Sequence, residues 1–222
     1  MSTVNLTRQT ISVLSNYASI NSSIIFRKGN VIRTISNAEN ILAKYTSKES
    51  FPMDFAIYDL HQFLSGLELF DNPELEFSNS DHVTILGGSQ SVKYYYSDPE
   101  ITLKSAPEKN VKFPGADIEF LLSKEDYAKL RKASSVYRLD DLTIDTKGGK
   151  VSLILNDKES DTSNTFKIDV QGTFTDEVSL DIKMDNVRCI GTEYNVKVSS
   201  QLISEWTSTD GTLTYYIAME PS

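Results

Sequence analysis

The chain has 222 residues, 39% of them hydrophobic, a single cysteine (Cys189) and a formal net charge of −9. That length supports one or two domains with their own cores, the lone cysteine excludes an intrachain disulfide, and the acidic balance argues against nucleic-acid binding through bulk charge. No stretch approaches the roughly 18 apolar residues of a membrane span, and the polar start, Met1 to Arg8, lacks the basic and apolar regions of a signal peptide.

Apolar residues at Leu6, Val13, Leu14, Tyr17 and Ile20, with Thr10 filling a gap, predict a helix over Leu6–Ile20. Ile24–Arg27 and Val31–Ile35 read as strands of a hairpin turned at Lys28-Gly29-Asn30. After a polar stretch, Phe55–Tyr58 reads as a short strand. Asp59 is placed to cap a helix from His61 to Phe70, which Asn72-Pro73 ends. Leu75–Phe77, Val83–Leu86 and Val92–Tyr96 follow as strands. Three of the six prolines, Pro99, Pro107 and Pro114, then space an extended connector.

The second half runs in similar order. A helix is predicted over Leu122–Tyr137, then a hairpin of Leu142–Asp145 and Val151–Leu155 turned at Gly148-Gly149. Strands Phe166–Val170 and Val178–Ile182 lead into a helical turn, Met184–Arg188, and strands Tyr194–Val198 and Leu213–Met219 close the chain. Gly29 and Gly149 are 120 residues apart, and the junctions Tyr58-Asp59-Leu60 and Met184-Asp185-Asn186 are 126 apart. Self-similarity at this spacing predicts a duplicated domain, divided as 1–96, a connector 97–114, and 115–222.

Positive charge is concentrated in one place. Residues 122–138 hold Lys124, Lys129, Arg131, Lys132 and Arg138 against Glu125 and Asp126, a local +3 that leaves −12 on the rest. At about 100° per residue Lys124, Arg131 and Arg138 fall nearly in line, with Lys132 beside them. Leu122, Leu130, Ala133, Val136 and Tyr137 are expected opposite. Such a face is either ordinary solvated surface or a surface held weakly against phosphates.

Chemistry has no equivalent focus. His61 and His82 are isolated, and no His/Cys set has metal-ligand spacing. Arg188 beside Cys189 is the only hint of an activated thiol, and a packed cysteine is the simpler reading. Gly87-Gly88 and Gly148-Gly149 are turn glycines outside any phosphate-cradling motif, and Asp157–Asp161 lacks calcium-loop spacing. The expectation is a non-enzyme without metal or cofactor. Tyr94-Tyr95-Tyr96 and Tyr215-Tyr216 read as strand residues or as part of a partner surface.

Leu14–Ile25 resembles the opening helix and strand of T-even-type bacteriophage sliding clamps. Asp54-Phe-Ala-Ile-Tyr-Asp-Leu-His-Gln-Phe-Leu64 resembles their strand-to-second-helix junction. The ending Tyr215-Tyr-Ile-Ala-Met-Glu220 resembles the last strand of cellular ring clamps. The resemblance implies an α+β fold of duplicated clamp domains, with helices lining a ring and sheets outside. It implies a homotrimer that encircles duplex DNA without sequence preference, tethers the phage polymerase, is opened by a clamp loader and supports late transcription in the cytoplasm of an infected bacterium. Arg8, Lys183 and Arg188 would join the basic helix in facing DNA. A polymerase tail would enter a pocket of Ile101, Leu103, Tyr216, Ala218, Met219 and Pro221. The alternative is a non-catalytic phage structural or adaptor protein.

Overall fold

The computed structural model describes residues 2–98, 104–160 and 162–222. The chain forms two compact units, Met1–Lys109 and Asn110–Ser222. The first contains β1 (Ser2–Asn5), α1 (Arg8–Ile20), β2 (Ile24–Phe26), β3 (Gly29–Ile35), β4 (Ile41–Phe51), β5 (Phe55–Ile57), α2 (Leu60–Leu67), β6 (Glu74–Phe77), β7 (His82–Gly87) and β8 (Gln90–Tyr95). The second contains β9 (Ile118–Leu122), α3 (Lys124–Tyr137), β10 (Asp141–Asp145), β11 (Val151–Asn156), β12 (Phe166–Val170), β13 (Gly172–Phe174) and β14 (Ser179–Lys183). A 3-10 turn (Met184–Asn186) follows, then β15 (Tyr194–Ser199), β16 (Ile203–Ser208), β17 (Leu213–Ala218) and β18 (Glu220–Pro221).

Helix α1 begins where the Thr7 hydroxyl accepts the backbone N–H of Thr10 at 3.2 Å, a side-chain cap for an otherwise orphaned donor. Its apolar stripe, Val13, Leu14, Tyr17 and Ile20, is buried as expected. Asp59 caps α2 by accepting from the Gln62 N–H at 2.9 Å. The helix ends at Leu67, short of the expected Phe70.

The hairpin expected between Ile24–Arg27 and Val31–Ile35 does not form. β2 pairs with β5, and β3 pairs with β4. Gly29, at φ 112°, serves a register irregularity at the start of β3 instead of a two-residue turn. β4 went unrecognised because polar residues interrupt its inward face. Ile41, Ala43, Tyr45 and Phe51 alternate inward with Ser47 and Glu49, and all six are buried. Phe26, Phe51, Phe55 and Phe77 form an aromatic cluster at this end of the unit, with Phe26 stacked on Phe55 at 4.5 Å.

In the second unit the expected helix over Leu122–Tyr137 starts two residues later, because Leu122 closes strand β9. Ser123 caps α3 through the Asp126 N–H at 3.0 Å. Tyr127, Leu130 and Ala133 form the buried stripe. Val136 and Tyr137, expected inside, are 61% and 53% exposed. Val136 lies four residues after Lys132 on the outward face, and Tyr137 sits in the last turn. The Gly148-Gly149 hairpin forms as expected, with both glycines at positive φ.

The two units repeat one another in strand pairing as well as in element order. The ladder β1–β6–β7–β8 is matched by β9–β15–β16–β17. The pair β2–β5 is matched by β10–β14, and β3–β4 by β11–β12. Thr7 and Ser123 cap equivalent helices, which makes Arg8 and Lys124 equivalent first residues. Residues 97, 98 and 104–114 hold neither helix nor strand.

Candidate nucleic-acid interface

α3 carries the basic face, and the structure divides its cations into two groups. Lys124, Lys132 and Arg138 are exposed and have no side-chain partner among the described residues, as does Arg8 at the start of α1. The others are engaged. Lys129 lies 2.9 Å from Glu125, an exposed pair one helical turn apart that contributes little stability. The Nη1 of Arg131 donates to the carbonyl oxygens of Met184 and Val187 at 3.2 and 3.0 Å. Lys183 lies 2.7 Å from the buried Asp141 carboxylate, and hydrogen bonding to that group raises the Lys183 pKa. The Arg188 Nε donates to its own turn, at the Asp185 carbonyl, at 2.7 Å.

Glu125 and Asp126 occupy the first turn of α3, where carboxylates suit the helix dipole and dilute the local positive charge. The exposed face of α1 is nearly neutral: after Arg8 it presents Gln9, Ser12, Ser15 and Ser19. α2 adds His61, Gln62 and Ser65. The unengaged cations of these helices therefore sit mainly on α3.

The residues expected to form a partner pocket are only partly on one surface. Ile101 and Leu103 lie outside the described residues. Tyr216 is half-buried, and Ala218 and Pro221 are exposed. Burial and the neighbouring Glu205 push the Tyr216 hydroxyl up to about 12. Met219, by contrast, is 5% exposed and belongs to the core of its unit, so it is unavailable to an incoming side chain. The sequence reading missed Leu202 and Ile203. Ile203 sits directly opposite Ala218 in the β16–β17 ladder, and Glu205 sits opposite Tyr216. Leu202, at φ 62° in the preceding turn, is 37% exposed. Tyr216, Ala218 and Ile203 thus share the outward face of the β16–β17 ladder with Glu205, and Leu202 extends this largely apolar strip into the turn. The strip was illegible because β16, with buried Ser204 and Ser208, reads as polar.

The hint of thiol chemistry is overturned. Cys189 is buried, and burial pushes its thiol well above the usual range despite nearby Arg131. His82 is buried, with Nδ1 2.7 Å from Asp81, and His61 is exposed on α2. No helix among the described residues is long and apolar enough to cross a membrane.

Comparison with known proteins adds three kinds of observation. The profile of the family described as DNA polymerase processivity factor matches residues 7–100. The chain is 33% identical to a sliding clamp of Vibrio phage KVP40, over 98% of this chain and 99% of the relative. It is 29% identical to the sliding clamp of Enterobacteria phage T4 over 73% of this chain and 71% of that one. Among solved structures it is similar to A. fulgidus PCNA, which is bound there by the C-terminal region of FEN-1, at a TM-score of 0.74 and 13% identity over 100% of this chain and 99% of that one. PCNA from Thermococcus kodakaraensis gives a TM-score of 0.73 at 14% identity, covering 99% and 100%. At such identity these structures establish the fold alone.

Proposed function

The chain belongs to the sliding-clamp family of DNA polymerase processivity factors, and on that basis we propose that three copies close head to tail into a ring that holds a phage polymerase on duplex DNA without chemistry of its own. The observation that carries this reading is the duplicated clamp unit with one concentrated basic helix in a chain of net charge −9. Arg8, Lys124, Lys132 and Arg138 face the phosphates. The acidic remainder keeps attraction low enough for sliding.

Ring closure has a physical basis in the sheet edges. β8 ends the four-stranded sheet of the first unit, and β12 ends a five-stranded sheet of the second. Each leaves a row of backbone donors and acceptors without a strand partner among the described residues. Pairing β8 of one copy with β12 of the next is a heterologous contact, and such contacts generate closed rings when the rotation closes. Leu69 and Tyr95 in the first unit and Val136 and Tyr137 in the second are exposed apolar side chains that such an assembly covers.

The outward strip of Leu202, Ile203, Tyr216 and Ala218 accepts a short apolar tail of the polymerase, and 97–114 serves as the connector of the two units. A loader opens the ring, late-transcription proteins share the strip, and the protein works in the cytoplasm of the infected bacterium. The test is primer extension by the cognate polymerase and loader on circular and linear templates. Long products on circular DNA, with the advantage lost on linear DNA that has free ends, are expected. Equal stimulation of both, or none, favours an adaptor or structural protein instead.

A further inference from the structure

Apart from the short strands β13 and β18, which only the second unit has, the two units differ in their second helix. Where the first has the helix α2 after β5, the second has only the 3-10 turn Met184–Asn186, followed by an irregular run to Glu193. An α-helix satisfies its own backbone; an irregular segment must find partners elsewhere. Here some are backbone groups, as where the Val187 N–H donates to the Met184 carbonyl at 3.1 Å, and the others are side chains. Arg131 supplies two donations, to the Met184 and Val187 carbonyls. The Tyr127 hydroxyl, one turn earlier on α3, donates to the Cys189 carbonyl at 2.6 Å. The Tyr194 hydroxyl donates to the Ile190 carbonyl at 2.6 Å, and the Tyr215 hydroxyl accepts the Ile190 N–H at 3.3 Å. The rings of Tyr127 and Tyr215 each meet that of Tyr194 edge-on at 6.1 Å.

We propose that Arg131 is a positioning residue: it pins the 184–190 segment in place of the missing second helix, and it makes no phosphate contact of its own. Both bonds come from the one Nη1, whose two N–H groups are held in the rigid guanidinium plane, so one nitrogen serves two carbonyls at the end of a turn. These are charge-assisted bonds, stronger than neutral ones. Withdrawing Arg131 to reach a phosphate would leave both carbonyls without that donor. Tyr127 and Arg131, four residues apart, lie on the same flank of α3 and grip the same segment. The basic face offered to DNA is therefore Lys124, Lys132 and Arg138, while Arg131 holds the neighbouring turn that carries Arg188.

The DNA half of this inference rests on the clamp reading; the pinning half does not. The test compares the assembled protein with its Arg131→Ala, Arg131→Lys and Lys132→Ala variants by two measurements. The first is the dependence of duplex affinity on salt concentration. Lys132→Ala should lower the slope by about 0.9 for each phosphate no longer neutralised, and Arg131→Ala should leave the slope unchanged. The second is amide hydrogen exchange at Val187, Arg188 and Ile190. Arg131→Ala should speed it roughly tenfold. Arg131→Lys keeps the charge but loses the planar, longer-reaching guanidinium, and should give a smaller acceleration at the same amides. A fall in slope for Arg131→Ala equal to that for Lys132→Ala overturns the proposal. Wild-type exchange rates in Arg131→Lys overturn it as well, and that variant decides the matter if Arg131→Ala does not fold. If the wild-type protein shows no salt-dependent duplex binding, the clamp reading fails, while the exchange rates still test the pin.

Discussion

Glu49 on β4 accepts the hydroxyl of Thr10 on α1 at 2.6 Å, joining the first helix to the longest strand of its unit through a buried carboxylate. Its other oxygen accepts the Thr7 N–H at 2.5 Å, so Glu49 also satisfies a donor at the start of the helix.

Acid sensitivity follows from that contact. Burial pushes the Glu49 carboxyl up, and the hydrogen bonds from Thr10 and Thr7 outweigh it, leaving the pKa below the usual range. A folded-state pKa below the unfolded one means the stabilisation is present above the unfolded value of about 4.3 and is lost as pH falls through the folded value. Glu49→Gln should cost about 1–3 kcal/mol at neutral pH. The gap in melting temperature between the two proteins should narrow as wild-type Glu49 protonates. A gap that stays constant from neutral pH to strong acid contradicts this.

Ring closure predicts a particle of about 75 kDa from three chains of 24.9 kDa. Ile168 on β12 is half-buried on the strand proposed to meet its neighbour. Ile168→Glu should place a charge in that contact and shift the mass measured by light scattering to that of one chain. Circular dichroism should show the fold retained. A folded variant that keeps the trimer mass excludes β12 from the interface.

The apolar strip and the core residue next to it should separate cleanly. Tyr216→Ser with Ala218→Asp alters side chains that are half-buried and exposed, so polymerase stimulation should fall while oligomer mass and stability hold. Met219→Ala removes a buried side chain and should cost about 2–5 kcal/mol of stability. Full stimulation by the double variant would move the partner surface elsewhere. Unchanged stability on Met219→Ala would contradict its place in the core.

Periodicity and helix caps make part of this fold legible in the chain itself. The α1 stripe, the Asp59 cap, the Gly148-Gly149 hairpin and the parallel order of the halves are properties of residues a few positions apart, so neighbouring side chains announce them. The basic character of α3 was legible for the same reason. Whatever depends on distant partners was settled only by folding. β4 buries Glu49 because Thr10 and Thr7, about 40 residues away, satisfy its carboxylate. β2 chooses β5 over its sequence neighbour β3 because pairing is won between whole ladders, and a glycine turn alone cannot dictate it. Arg131 sits in line with Lys124 on a helical projection, yet its guanidinium is taken by carbonyls 53 and 56 residues away. A projection gives direction around one helix and says nothing of what another segment brings to meet it. Met219 reads as a surface anchor beside the exposed Ala218, but strand alternation turns it inward.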